Sequence, residues 1–218
     1  MNRVIFILFM LAVGISSTSC VKIYLKAMGV QKTRTVSKEV LTNYLHKRGI
    51  NHEYILEVDS VKYAQLIERK KIDTLYKHAY WWTQNHIQPV QVIYFEKATQ
   101  RPIAAYFNCI AEVRGLTSMT WNKEQELEFF PPKTYTNWVD TLFSQEELFK
   151  TFNDMNGKEF EYKDDGTEYL IVLFYSLFVQ KQSDNLIKEV NEHLQKCLNN
   201  NYQIYYVNMD NYFFKEVD

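Results

Sequence analysis

Three cysteines, five histidines and 26 acidic side chains are the groups of this 218-residue chain from which a reactive centre would be drawn. Cys20, Cys109 and Cys197 lie far apart and none sits in a C-x-x-C pair. Dithiol exchange needs an attacking thiolate and a resolving partner, which this spacing withholds. Cys109 stands between Asn108 and Ile110, with no neighbouring cation to lower its pKa. The histidines at 46, 52, 78, 86 and 193 form no i, i+4 pair and no H-E-x-x-H, so no metal centre is expected. The carboxylates gather in runs such as Glu124-Gln-Glu126 and Glu161-Tyr-Lys-Asp-Asp165. Such runs suit a solvated surface better than an acid–base pair. There is no G-x-S-x-G and no P-loop, and with six glycines a phosphate-cradling loop is not expected. The residues therefore point away from an enzyme and from any cofactor.

Cys20 has a different context. Arg3 is followed by an apolar run from Val4 to Val13 and then Gly14-Ile-Ser-Ser-Thr-Ser-Cys20. A run this short cannot cross a hydrocarbon layer of about 30 Å as a helix, so residues 1–19 read as a secretory signal peptide. The small residues before Cys20 resemble the lipoprotein signal of Bacteroidota in its relaxed form, with Ser17 where Leu is usual. That resemblance implies an acylated Cys20 holding the chain on the lipid bilayer. Several acyl chains at one residue anchor durably, at about 0.8 kcal/mol per buried methylene. The residues after Cys20, Val21-Lys-Ile-Tyr-Leu-Lys26, lack the acidic run that resembles a surface-export signal. An outer-membrane position facing the periplasm is the expectation, with the folded part close to the membrane.

The mature chain, roughly 200 residues, is long enough for one sizeable core or two small ones. A hydrophobic content of 46% with 16% aromatics makes it globular. The signal takes one basic side chain, Arg3, of the 25, which leaves 24 against 26 acidic ones. A nucleic-acid partner would demand a basic stripe, which this balance lacks.

Along the chain, a short strand is expected at Val21–Leu25, a helix after Ser37 closed by Gly49, a strand at Tyr54–Val58, and a helix from Val61 to Glu68 capped by Asp59-Ser60. An aromatic helix over 73–85 carries Trp81 and Trp82. Val90–Phe95 and Pro102–Phe107 read as a hairpin opened by Pro89. Pro131-Pro132 breaks a segment whose Trp121, Phe129, Phe130 and Trp138 suggest a loop packed on something apolar. Ser144-Gln-Glu-Glu147 is a capping box for a helix to about Asp154. Leu170–Tyr175 is a strand apolar on both faces, Ser183-Asp184 precede a helix striped by Leu186, Ile187, Val190, Leu194, Cys197 and Leu198, and Gln203–Val207 is the next strand. This is a βαβ unit. The organisation expected is 20–115 as an α/β part with the hairpin, 116–165 as a connecting segment, and 166–218 as the C-terminal βαβ part.

Residues 170–210 resemble the first half of a thioredoxin-like domain. Phe174-Tyr-Ser-Leu-Phe178 stands for the usual Phe-Trp-Ala-x-Trp, and Val207-Asn-Met-Asp210 for Val-Asp-x-Asp. On this register the redox tetrapeptide is Val179-Gln-Lys-Gln182, without a cysteine. The family's cis-proline hairpin, due after the tetrapeptide, is matched only upstream, from Gln88-Pro89. The resemblance thus implies an α/β, thioredoxin-like three-layer sheet with flanking helices in permuted strand order, against two incomplete lobes side by side. It also sets Cys109 and Cys197 at opposite edges, too far for a bridge that needs Cα atoms within about 7 Å. The layout is similar to Bacteroidota envelope lipoproteins with redox-less thioredoxin-like C-termini. A binding or scaffold role follows, with an extended envelope protein partner laid along a strand edge lined by Phe178, Val179, Gln180 and Pro89. The alternatives are an atypical oxidoreductase using Cys109 and a small-ligand carrier with an aromatic pocket around Trp81, Trp82, Trp121 or Trp138.

Overall fold

The structure is a computed structural model describing residues 36–73, 88–107, 121–122, 125–133 and 143–213. The signal segment, Cys20, the strand expected at 21–25, Cys109, Trp81, Trp82 and Trp138 lie outside the described residues.

Six strands form one mixed sheet: β1 (Ile55–Val58), β2 (Gln91–Glu96), β3 (Arg101–Phe107), β4 (Phe152–Asp154), β5 (Tyr169–Tyr175) and β6 (Tyr202–Asn208). Their order is β3-β2-β5-β6-β1-β4. β5, β6 and β1 run parallel, whereas β2 is antiparallel to both β5 and β3, and β4 is antiparallel to β1. Strands from the two halves of the chain therefore share one sheet and are not separate lobes. β4 adds the connecting segment to it.

The sequence of β5 explains its central place. Ile171, Leu173 and Tyr175 face one side and Leu170, Val172 and Phe174 the other, each fully buried. An apolar side chain so enclosed contributes about 1.5–3 kcal/mol relative to exposure, which an edge position forfeits on one face. The first face is covered by α1 (Lys38–His46) and α4 (Gln180–Leu198), through Leu41, Leu45, Leu186, Val190 and Leu194. The second is covered by α2 (Ser60–Asp73) and α3 (Gln145–Phe149), through Tyr63, Leu66, Ile67, Leu148 and Phe149. The result is a three-layer α/β arrangement, closed by a short helical turn α5 (Asp210–Phe213).

Helix ends follow the chemistry of their residues. The Ser37 hydroxyl accepts from the Val40 amide, and the Asp59 carboxylate accepts from Val61 and Lys62 at 3.0 and 3.1 Å. Ser144 and Glu147 form the expected reciprocal capping box. Asn199 and Asn200 take left-handed φ of 44° and 67°, which ends α4.

Four expectations are corrected. α3 stops at Phe149, and Phe152–Asp154 is a strand, because Thr151 turns the chain and its carbonyl accepts from the Asp59 amide beside β1. α4 starts at Gln180, before Ser183-Asp184, because the Ser183 hydroxyl is turned inward to bond Ser176. Glu126, read as surface, is 3% exposed. Among the described residues the cis peptide is Phe130–Pro131, and the bond before Pro89 is trans.

Register decides which residues share an edge. Glu57 pairs with Asn208, and Asn208 with Tyr175, so the carboxyl ends of β1, β6 and β5 line up. Gln91 opposite Phe174 brings Pro89 to this same edge. Tyr54, Asp154 and Gln203 fall at the other.

Candidate functional site

The chain leaving β5 at the carboxyl edge is fixed by a buried polar network. Asp210 has 3% exposure, and its carboxylate accepts from the Ser176 hydroxyl, from the Leu177 amide at 3.0 Å and from the Asn208 side chain at 3.1 Å. The Ser176 hydroxyl oxygen in turn accepts from the Phe178 amide at 3.1 Å. The Ser183 hydroxyl accepts from the Ser176 amide and donates to its carbonyl, at 3.0 and 2.8 Å. Each buried donor and acceptor here finds a partner, as burial requires. The Ser176 hydroxyl is spent on the Asp210 carboxylate and the Phe178 amide, the Ser183 hydroxyl on the Ser176 backbone, and no imidazole among the described residues joins them. The network shapes the loop and offers no nucleophile.

The residues expected to line a groove separate on inspection. Pro89, Phe178 and Gln180 are half-buried at the carboxyl edge. Val179, by contrast, is fully buried in the core below the loop. Gln182, at the second redox position, is also enclosed, and its carbonyl accepts from the Trp121 indole at 3.0 Å. Trp121 itself is 6% exposed and packs edge-on against Tyr106, so it is core and not a pocket wall.

α1 is bolted to the start of α4 at this end. Asp184 accepts from the Tyr44 hydroxyl at 2.6 Å and pairs with Arg48, whose guanidinium lies 3.7 Å over the Tyr44 ring. Tyr44 stacks on Tyr175, centroids 5.6 Å apart. Burial, and then Asp184, push the Tyr44 hydroxyl pKa well up. Beside them Glu57 is raised by burial, partly offset by Lys38 and the Asn211 amide.

In the last third of α4, His193 holds the 125–133 segment. Its Nε2 faces the Phe129 carbonyl at 3.1 Å and must donate, so Nδ1 accepts from the Tyr94 hydroxyl at 3.3 Å in the neutral ring. Burial lowers its pKa, with the Phe129 carbonyl opposing. Phe130 stacks on this imidazole while Phe129, expected to pack, is 79% exposed. Cys197 is a free thiol facing the Glu128 carbonyl at 3.8 Å. No cluster of His, Cys, Asp or Glu among the described residues is arranged to hold a metal ion.

A cleft of about 580 Å³ opens at the opposite edge of the sheet. Its floor is Tyr205, with the Tyr54 and Phe160 rings 6.0 and 5.1 Å away. The rim carries Glu53, Asp154, Glu159, Glu161, Asp164 and Asp165 against Lys158 and Lys163. Lys97 clamps the turn from behind, 2.9 Å from Asp164 and 2.6 Å from Asp165, with its ammonium 5.9 Å from the Tyr162 ring centre. Lys97 chiefly holds the Asp164 carboxyl below its ordinary range. Gln203 donates to the Lys163 carbonyl at 3.0 Å and to the Tyr205 oxygen at 2.8 Å. A carbonyl can only accept, which fixes the amide orientation and leaves Oε1 of Gln203 without a partner.

No family model, curated protein or solved structure matches this chain. Its chemistry is therefore read from its own residues. Sequence reasoning found the loop after β5 but missed the cleft. Tyr54, Phe160 and Tyr205 are unremarkable singly, and Glu161–Asp165 read as a solvated run. The β1–β6 pairing, Ile55 opposite Tyr206, brings Tyr54 and Tyr205 together, and the Phe160 amide donating to the Phe152 carbonyl, with Gln203 donating to the Lys163 carbonyl, adds the 160–165 segment. Alternation along β6, which sets Gln203, Tyr205 and Val207 on one face, was the one available signal.

Proposed function

We propose that this chain is a redox-inactive, thioredoxin-like domain of permuted strand order, held at the periplasmic face of an envelope membrane through acylated Cys20, and that it binds a protein partner without turnover. The strand order supports the fold reading: an antiparallel hairpin, β2 and β3, flanks β5 of the β5-α4-β6 unit, and Pro89 enters at the edge where that unit turns.

The observation that carries the functional reading is the loop after β5. Asp210, Ser176 and Ser183 lock its backbone through buried hydrogen bonds, while the two positions of a redox pair hold Val179 and Gln182, both buried. A fixed edge with no thiol is suited to recognition. Because Val179 lies inside, the contact surface reduces to Pro89, Phe178 and Gln180.

Affinity isolation from detergent-solubilised membranes tests this, comparing the wild type with Gln180→Arg after circular dichroism confirms equal folding. A stoichiometric envelope protein retained by the wild type and lost in the variant is expected. No partner in either sample, or the same partner in both, refutes the reading.

A further inference from the structure

Residues 125–133 lie against the last third of α4 and are tied to it through His193, Lys196 and Cys197. His193 Nε2 donates to the Phe129 carbonyl, Lys196 pairs with the Glu128 carboxylate, and the Cys197 thiol faces the Glu128 carbonyl at 3.8 Å. Phe130 sets its ring among His193, Tyr94 and Tyr169, with centroids 6.1, 6.1 and 4.5 Å away. Other bonds close within the segment or onto Asn122: the Leu127 amide donates to Asn122 Oδ1 and the Lys133 amide to the Glu126 carbonyl, each at 2.9 Å.

The imidazole at the centre of these ties suits one protonation state. With Nε2 donating to a carbonyl, Nδ1 accepts from the Tyr94 hydroxyl. A second ring proton makes both nitrogens donors. The Tyr94 oxygen can then accept from Nδ1, but its own proton is left with no acceptor among the described residues, on a side chain that is fully buried. His193 is itself 2% exposed, so the charge is also placed out of water. Of the charged groups facing the ring, Glu128 on the segment favours the imidazolium and Lys196 on α4 opposes it. Lys196 holds the Glu128 carboxyl below its ordinary range, so this pair stays charged from pH 7 to 5. From the sheet the ring meets Tyr94 of β2, whose neighbours are Tyr106 of β3 and Cys197 of α4. Glu126, buried in the segment, faces the Tyr106 hydroxyl and not the ring.

We propose that residues 125–133 are a strap released by protonation of His193, covering the Cys197 thiol and the Tyr94 side of the core at neutral pH and uncovering them in acid. Once the strap lifts, the ring reaches water and carries its second proton without conflict, so protons favour the open form. The rest of the sheet stays folded, because the strap contributes no strand to it.

Hydrogen exchange of the full chain between pH 7 and 5, corrected for the intrinsic rate of each amide, tests this. Protection at Leu127 and Lys133 is expected to fall by up to about tenfold per pH unit below roughly 6.5, the slope of one proton, while the β5 amides 170–175 keep theirs. Alkylation of Cys197 by iodoacetamide, normalised at each pH to the urea-unfolded chain, should accelerate over the same range. In His193→Gln, which can still donate to the Phe129 carbonyl but does not titrate, both dependences should vanish. Imidazole nitrogen shifts of the wild type give the same answer without a variant: an Nε2–H tautomer at pH 7 and a midpoint below about 6.5 that coincides with the loss of protection. Protection that is flat over this range, that falls equally at 170–175, or that falls with the same slope in His193→Gln overturns the proposal, as does a ring midpoint at or above that value.

Discussion

Replacing Asp210 by Ala removes the acceptor on which the loop after β5 depends. Three donors converge on its carboxylate: the Ser176 hydroxyl, the Leu177 amide and the Asn208 side chain. A hydrogen bond to a charged group contributes about 1.5–3 kcal/mol, and a buried donor left unsatisfied costs about 1–3 kcal/mol. Ser176 retains the Phe178 amide and its hydroxyl proton can rotate, so the larger losses fall at Leu177 and Asn208. The sum is about 3–5 kcal/mol for Asp210→Ala. Asp210→Asn keeps the shape and one oxygen, and should cost about 1–2 kcal/mol. Urea unfolding measures both, as a lower midpoint at unchanged slope. For a chain of this size 3 kcal/mol lowers Tm by roughly 6–12 °C. Ser176→Ala with Asp210→Ala should be non-additive, because the two share a contact. Asp210→Ala costing under about 1 kcal/mol, or strict additivity with Ser176→Ala, would show that the network does not hold the loop.

Other perturbations have equally definite outcomes. Burial keeps the folded pKa of His193 below its unfolded value of about 6.5, so its stability contribution is complete above that pH and is lost as pH falls to the folded pKa. Tm should drop on acidification between pH 7 and 5, and His193→Gln should flatten that part of the profile. Val179→Asp places a charge in the core and should abolish cooperative unfolding in circular dichroism, whereas Gln180→Arg should leave it intact. Asn199, at φ 44°, should accept Gly without loss, while Asn199→Val should destabilise by about 1 kcal/mol or more in the same urea assay.

Local rules carried the reading of the chain where one principle dominated. The run 170–175 is apolar at every position, and only a strand buried on both faces uses that pattern at this length. The caps at Ser37, Asp59 and Ser144 are set by side chains that satisfy amides within their own helices, so they were visible too. Reading failed where a residue serves two patterns. Leu148, Phe149 and Phe152 fit one helical stripe, yet Phe152 pairs with Val58 in the sheet, a choice made by a partner almost a hundred residues away. Ser183 looks like an N-cap, but its hydroxyl completes the turn after β5. The cleft is built from three distant segments, and its Gln203 amide is oriented only once the Lys163 carbonyl and the Tyr205 oxygen have taken the amide hydrogens.

Partner recognition through the carboxyl edge is tested most directly by photo-crosslinking in intact cells, with the reactive residue placed at Gln180 and, as control, at Glu192 on α4. Glu192 is exposed and distant along the helix from the loop. A single crosslinked envelope protein from position 180 and none from 192 is the expected result. Crosslinks to the same proteins from both positions, or from neither, would contradict a binding role for the loop after β5.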